Sequence, residues 1–166
     1  LLSLRDITEN KLMEDALRNS EERLRLYFEN VTDVIYSLDT ELKVSGVAPS
    51  VEKLLGYKPE ELIGRNLSEL EVLAPEYLEA AFADIVRVLA GERIAYTEYE
   101  FITKEGSRRF GQVSGAPLFS PEGKVVGLVS MARDITESKK AEDRIRQSQK
   151  TMQIVLDSLG FGVLIV

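Results

Sequence analysis

Ala132-Arg133-Asp134-Ile135-Thr136-Glu137-Ser138-Lys139 is the second copy of a pattern already met as Leu4-Arg5-Asp6-Ile7-Thr8-Glu9-Asn10-Lys11. Six of the eight positions are identical, at an offset of 128 residues. The offset persists downstream, where Glu14-Asp15 matches Glu142-Asp143, Arg18 matches Arg146 and Ser20 matches Ser148. Beyond that, apolar character is matched more than identity. Leu24, Leu26 and Phe28 align with Met152, Ile154 and Leu156, and Val34-Ile35-Tyr36-Ser37-Leu38 aligns with Gly162-Val163-Leu164-Ile165-Val166. Repetition at a fixed period marks an array of like units. The repeat therefore predicts that 1–8 is the end of one unit, 9–30 a linker helix, 31–136 one complete domain, 137–159 a second linker helix and 160–166 the first strand of a following unit.

Both copies carry helix-start chemistry. Asp6-Ile7-Thr8-Glu9 and Asp134-Ile135-Thr136-Glu137 each offer a polar N-cap with Glu three residues on, and Thr8 or Thr136 is the alternative cap. The helices that follow carry heptad stripes: Met13, Leu17, Ser20, Leu24, Tyr27 and Val31 in the first, and Ala141, Ile145, Ser148, Met152, Val155 and Leu159 in the second. Such spacing suits a parallel dimer seam. It also suits an amphipathic helix lying on its own domain. The shared phase of two successive linkers favours the seam.

Between the linkers, Asp33-Val34-Ile35-Tyr36-Ser37-Leu38-Asp39 and Leu42-Lys43-Val44-Ser45-Gly46-Val47 read as short strands around a polar turn. Two short helices follow, one capped by Ser50 and stopped by Gly56, the other opened by Pro59 and stopped by Gly64. Pro75 opens a longer helix to Ala90, with Leu78, Phe82, Ile85, Val86 and Leu89 on its apolar face. Segments 95–103, 108–119 and 124–133 are strands joined by Gly-containing turns. The order predicts an α+β domain, a five-stranded antiparallel sheet with helices over one face and a linker helix on each side.

These residues resemble a known family, the PAS domains with their C-terminal PAC-type meander. The resemblance rests on Glu52-Lys53-Leu54-Leu55-Gly56-Tyr57, Pro59-Glu60-Glu61-Leu62-Ile63-Gly64-Arg65, Thr103-Lys104-Glu105-Gly106-Ser107, Pro121-Glu122-Gly123-Lys124-Val125-Val126-Gly127 and Arg133-Asp134-Ile135-Thr136-Glu137. It covers about residues 21 to 137. It implies a sensory or relay module of a larger signal-transduction protein, such as a sensor histidine kinase of a two-component system, a diguanylate cyclase or a transcriptional regulator. It also implies that Arg133, Asp134, Ile135 and Thr136 join the last strand to the output helix, with Asp6 and Thr8 doing the same for the preceding unit.

Composition narrows the chemistry. The chain has no Cys and no His. A disulfide, a thiolate or imidazole metal site, a Cys nucleophile and a Ser-His-Asp arrangement are therefore impossible. Within the resembled family the same absences exclude a His-ligated haem and a Cys-linked flavin, leaving a small ligand held without covalent bonds. The net charge of −7 argues against nucleic acid as a partner. No run approaches the ~20 apolar residues of a membrane span, and Leu1-Leu2-Ser3-Leu4-Arg5 does not read as a signal peptide, so a cytoplasmic segment without membrane contact is expected. Glu21-Glu22 and Glu60-Glu61 read as solvated helix faces, and Arg108-Arg109 as the flank of a turn. Gly111 and Gly115 either open space over the sheet or allow close packing.

A site, if one exists, lies between sheet and helices. Its expected walls are Tyr36, Val47, Leu55, Leu62, Ile63, Leu67, Leu70, Phe82, Ile85, Tyr99, Phe101, Phe110, Val113, Leu128 and Ser130. The same residues also suffice for a plain core. No catalytic or metal-binding set emerges. Two functions remain: a relay and homodimerisation module acting with neighbouring units and an output domain of its parent chain, or a sensor with an apolar or aromatic ligand.

Overall fold

Period-two burial at 111–115 and 128–132 sets the architecture of the computed structural model, which describes residues 3–160. β3 (Ile94–Ile102), β4 (Arg108–Phe119) and β5 (Val125–Asp134) form an antiparallel meander. β1 (Val34–Asp39) pairs with β5, and β2 (Val44–Val47) with β1. The result is a five-stranded antiparallel sheet in the order β2-β1-β5-β4-β3. Helices α2 (Val51–Leu55), α3 (Pro59–Leu62) and α4 (Leu78–Leu89) cover one face, as the predicted α+β class requires. Helices α1 (Leu4–Asn30) and α5 (Thr136–Ser158) flank the domain.

The core is the seam between that face and those helices. Leu38, Tyr99, Val113 and Leu128 rise from the sheet to meet Val51, Leu55, Leu62 and Val88. Burying each Leu contributes about 1.5–3 kcal/mol, which is why the helices stay on this face. Gly111 fits the same packing. A Cβ there would lie 2.5 Å from Phe101 Cε2, so the ring rests directly on the strand backbone. At Gly115 a Cβ would meet Ser130 Oγ at 3.0 Å. Close packing, rather than opened space, is what both glycines permit.

Several local expectations are corrected. α1 begins at Leu4 rather than at residue 9, and its N-cap is Ser3, whose Oγ accepts from Asp6 N. Leu4-Arg5-Asp6 is therefore helical, whereas its counterpart Ala132-Arg133-Asp134 is the end of β5. The later copy lies between β1 and β4, and the earlier one has no strand beside it among the described residues. Ser50 does not cap α2. Its hydroxyl instead donates to the Asp33 carbonyl at 2.9 Å. The predicted long helix opens with a 3₁₀ turn, Pro75–Tyr77, before α4 begins.

The buried face of α4 is also rotated from the expected one. Ala81 and Val88 are buried, while Leu78 and Val86 are exposed and Phe82 is half-buried. Asp84 lies on the same inward face, where it accepts hydrogen bonds from Thr97 and Tyr99 of the sheet. The expected strand over 160–166 lies, except for Gly160, outside the described residues.

Candidate functional site

Two places in the fold carry the functional candidates: the sheet–helix interior and the junction of β5 with α5. The interior holds two small cavities. One, of about 70 Å³, is lined by Tyr36, Val47, Leu55, Leu62, Leu67, Leu70 and Phe101 among others, and is almost wholly apolar. The other, of about 50 Å³, is lined by Ile85, Tyr99, Val113, Leu128, Ser130 and Asp84 among others. Tyr36, Leu67, Val72 and Phe101 belong to both walls. Each cavity is smaller than the ~150 Å³ void that admits benzene in a protein core.

Three expected wall residues lie elsewhere. Phe110 sits one residue out of phase with Gly111, Val113 and Gly115, the positions of β4 that are buried, so alternation sends its side chain to the opposite face. Ile63 follows the one-turn helix α3 and is 48% exposed. Phe82 is carried off the cavity by the rotated phase of α4.

The second cavity has a polar end. Tyr99 Oη donates to Asp84 Oδ2 at 2.6 Å, Thr97 Oγ1 donates to the same oxygen at 3.1 Å, and Arg87 Nη1 lies 3.2 Å from Oδ1. Burial pushes the Tyr99 hydroxyl well above the usual phenol range, and the hydrogen bond to Asp84 adds to the rise. Burial also raises Tyr36, opposed by its hydrogen bond with Ser130. Both phenols therefore stay protonated through the neutral range, and Tyr99 is a donor there. Asp84 escaped the sequence reading because an acid breaks the apolar stripe that marks a buried helix face. A Tyr or Thr on the facing strand was the available sign.

At the junction, the chain turns from β5 into α5 across Ile135. Thr136 is 3% exposed, and its Oγ1 accepts from Phe110 N at 2.9 Å. Ile135 N donates to Phe110 O at 2.9 Å, so one residue of β4 holds both sides of the turn. Asp134 Oδ1 accepts from Thr136 N at 2.8 Å, and Asp134 Oδ2 lies 3.8 Å from Arg109. Lys139, one turn into α5, pairs with Glu98 of β3. Arg133 grips Asp33 with its guanidinium fork, at 2.9 Å from Nη2 and 3.2 Å from Nε to Oδ2.

Asp6 and Thr8 make no comparable joint. They lie inside α1, where Thr8 Oγ1 donates back to Leu4 O and Asp6 accepts from Ser3 Oγ. The heptad side chains do not lie on the domain. Met13, Leu17, Leu24, Tyr27, Ile145, Met152 and Val155 are all exposed, and Ala141 is half-buried. A groove on α5 runs past Gln147, Ser148, Met152 and Val155.

Comparison with known proteins agrees with this geometry. Residues 28–140 match the family model described as the PAS fold, so the chain belongs to that family of sensory domains. It is 32% identical over 150 residues to the methyl sulfide methyltransferase-associated sensor of Methanosarcina acetivorans, covering 88% of this chain and 14% of that protein. It is 28% identical over 151 residues to the sensor histidine kinase TmoS of Ectopseudomonas mendocina, covering 89% and 15%. To the probable diguanylate cyclase DgcE of Escherichia coli it is 26% identical over 142 residues, covering 81% and 12%. The chain thus spans about one seventh of the length of these relatives.

The same fold occurs in the solved PAS domain of a Colwellia psychrerythraea protein. That match has a TM-score of 0.62 and 20% identity, over 70% of this chain and 97% of that one. A domain of a Geobacter sulfurreducens sensory box sensor histidine kinase/response regulator superposes with a TM-score of 0.55 at 24% identity, over 71% and 96%.

Proposed function

We propose that the domain is a relay and dimerisation module within the cytoplasmic part of a larger signalling protein, without catalysis of its own. A change in sheet packing tilts or rotates α5 at the Asp134-Ile135-Thr136 junction, and the linker helices carry it along a homodimeric seam to the neighbouring unit and the output domain. The observation that carries this reading is the paired bond at Phe110, whose N–H and C=O both engage the base of α5. Any shift of β4 along its length must move that base or break both bonds. The exposed seam residues on α1 and α5 support the dimer part, since burying apolar side chains at heptad spacing in a partner's seam lowers the free energy. Kinase and cyclase relatives support an output domain elsewhere in the parent chain.

The test uses phase. One residue inserted after Gln147 rotates everything downstream by about 100°, while seven inserted residues nearly restore the face. The relay reading expects the first to change signalling output of the parent protein and the second to preserve it. Equal output from both defeats the reading.

A second reading starts from the two cavities, which share a wall that includes Phe101 and would have to join or widen to hold a ligand. In it the domain senses a small apolar or aromatic molecule held without covalent bonds. Native mass spectrometry of purified protein and a thermal-shift screen against small aromatic and aliphatic compounds test it. A clean apo mass with no stabilisation by any compound counts against ligand sensing.

A further inference from the structure

The antiparallel pairing of β1 with β5 has a geometric result at one corner of the sheet. Val34 is opposite Ala132, so the residue where the first linker enters the domain lies beside the residue where the second leaves. Asp33 and Arg133 occupy that corner, 100 positions apart in sequence and joined by the guanidinium fork. The Asp33 side chain is 14% exposed while Arg133 is 60% exposed, so the carboxylate is the fixed half of the pair. Asp33 is fixed from a second side as well, because Ser50 Oγ donates to its carbonyl just ahead of α2. Arg133 immediately precedes Asp134, which holds the first turn of α5 through Thr136 N. Asp33, three residues past the end of α1, is therefore tied both to the residue before the α5 anchor and to the residue before α2.

We propose that Asp33 and Arg133 are positioning residues that couple α1 directly to α5 at this corner, so that a displacement arriving along α1 reaches the output helix without passing through the cavities. The inference rests on the relay reading and specifies its route. Arginine suits the task because its planar fork fixes direction as well as distance, which a lysine ammonium does not.

The absence of cysteine makes a clean test possible. Spin labels are placed through Glu22→Cys on α1 and Glu142→Cys on α5. The labelled chain is diluted into unlabelled chain so that only the distance within one molecule is read. Asp33→Asn and Arg133→Lys are each expected to broaden the α1–α5 distance distribution. Each is also expected to speed hydrogen exchange of the Ile135 amide about twofold to fivefold, the span of a partly exposed ion pair. Arg133→Lys is the safer variant, since it keeps the charge on the exposed partner. Val51→Ala, which thins the cavity wall, is expected to lower stability and leave the distribution unchanged.

The proposal is overturned if both clamp variants superimpose on the wild type, or if Val51→Ala broadens the distribution as much as they do. A chain that proves monomeric defeats the dimer reading but leaves this intramolecular measurement intact.

Discussion

Replacing Thr136 by Val tests the junction at a single atom. The side chains have nearly the same shape, so no cavity opens, and both are β-branched, so helix propensity changes little. What is lost is the acceptor for Phe110 N–H, now held at 2.9 Å by a residue only 3% exposed. A typical hydrogen bond contributes about 0.5–1.5 kcal/mol net, and an orphaned buried donor costs about 1–3 kcal/mol. Phe110 itself is half-buried, so water reaches part of that site and the lower half of the range applies. The expected loss is about 1–2 kcal/mol. With a urea slope of about 2 kcal/mol/M, the unfolding midpoint falls by roughly 0.5–1 M. Thr136→Ser keeps the hydroxyl and should lose clearly less. Urea titration followed by circular dichroism reads the stability, and amide exchange at Phe110 and Ile135 reads the local effect. If Thr136→Val matches the wild type within about 0.3 kcal/mol while Thr136→Ser does not, the hydroxyl does not hold the helix base and the junction argument fails.

Gly111→Ala forces a methyl to within 2.5 Å of the Phe101 ring, which can yield only into the neighbouring cavities. It should cost about 1–3 kcal/mol, and Phe101→Leu in the same chain should recover part of that loss in a denaturation titration. The raised Tyr99 and Tyr36 hydroxyls predict alkaline sensitivity. The native state keeps protons that the unfolded chain releases near pH 10.0, so stability is full below that value and falls as pH rises above it. Tyr99→Phe should flatten the fall seen in thermal melts above pH 10, and an unchanged slope would show that Tyr99 is not its source. Leu17→Asp or Ile145→Asp puts a charge in the proposed seam. Each should move sedimentation toward monomer, and variants that sediment as the parent chain does would exclude these positions from the interface.

Most of the fold is legible in the sequence because its signals are periodic. Alternation in 95–103 and 108–119, with a Gly turn between, specifies the meander, and the helix-start chemistry of the two motif copies announces the flanking helices, although α1 starts earlier, at Leu4. The interior site is less legible for three local reasons. Phe110 and Val113 are both apolar, but only a strand's strict period of two says that they face opposite ways. The face of α4 is misread because Ala81 is small and Asp84 is charged, and hydropathy discounts both. Ser50 has the chemistry of a cap, yet its hydroxyl finds Asp33, and no local pattern announces a partner 17 residues away. Pairings across the sheet, such as Arg133 with Asp33, follow from strand order, and a one-dimensional reading carries little of that.

The twin segments have a consequence for how much a short motif specifies. Arg-Asp-Ile-Thr-Glu is strand turning to helix at 133–137 and continuous helix at 5–9. The same letters serve either neighbour, and the sheet alongside casts the deciding vote. Five letters therefore do not carry their own secondary structure. At 133–137 the instruction comes from β4, whose Phe110 backbone engages both Ile135 and Thr136. A short motif of this kind is a request that the fold around it grants or refuses.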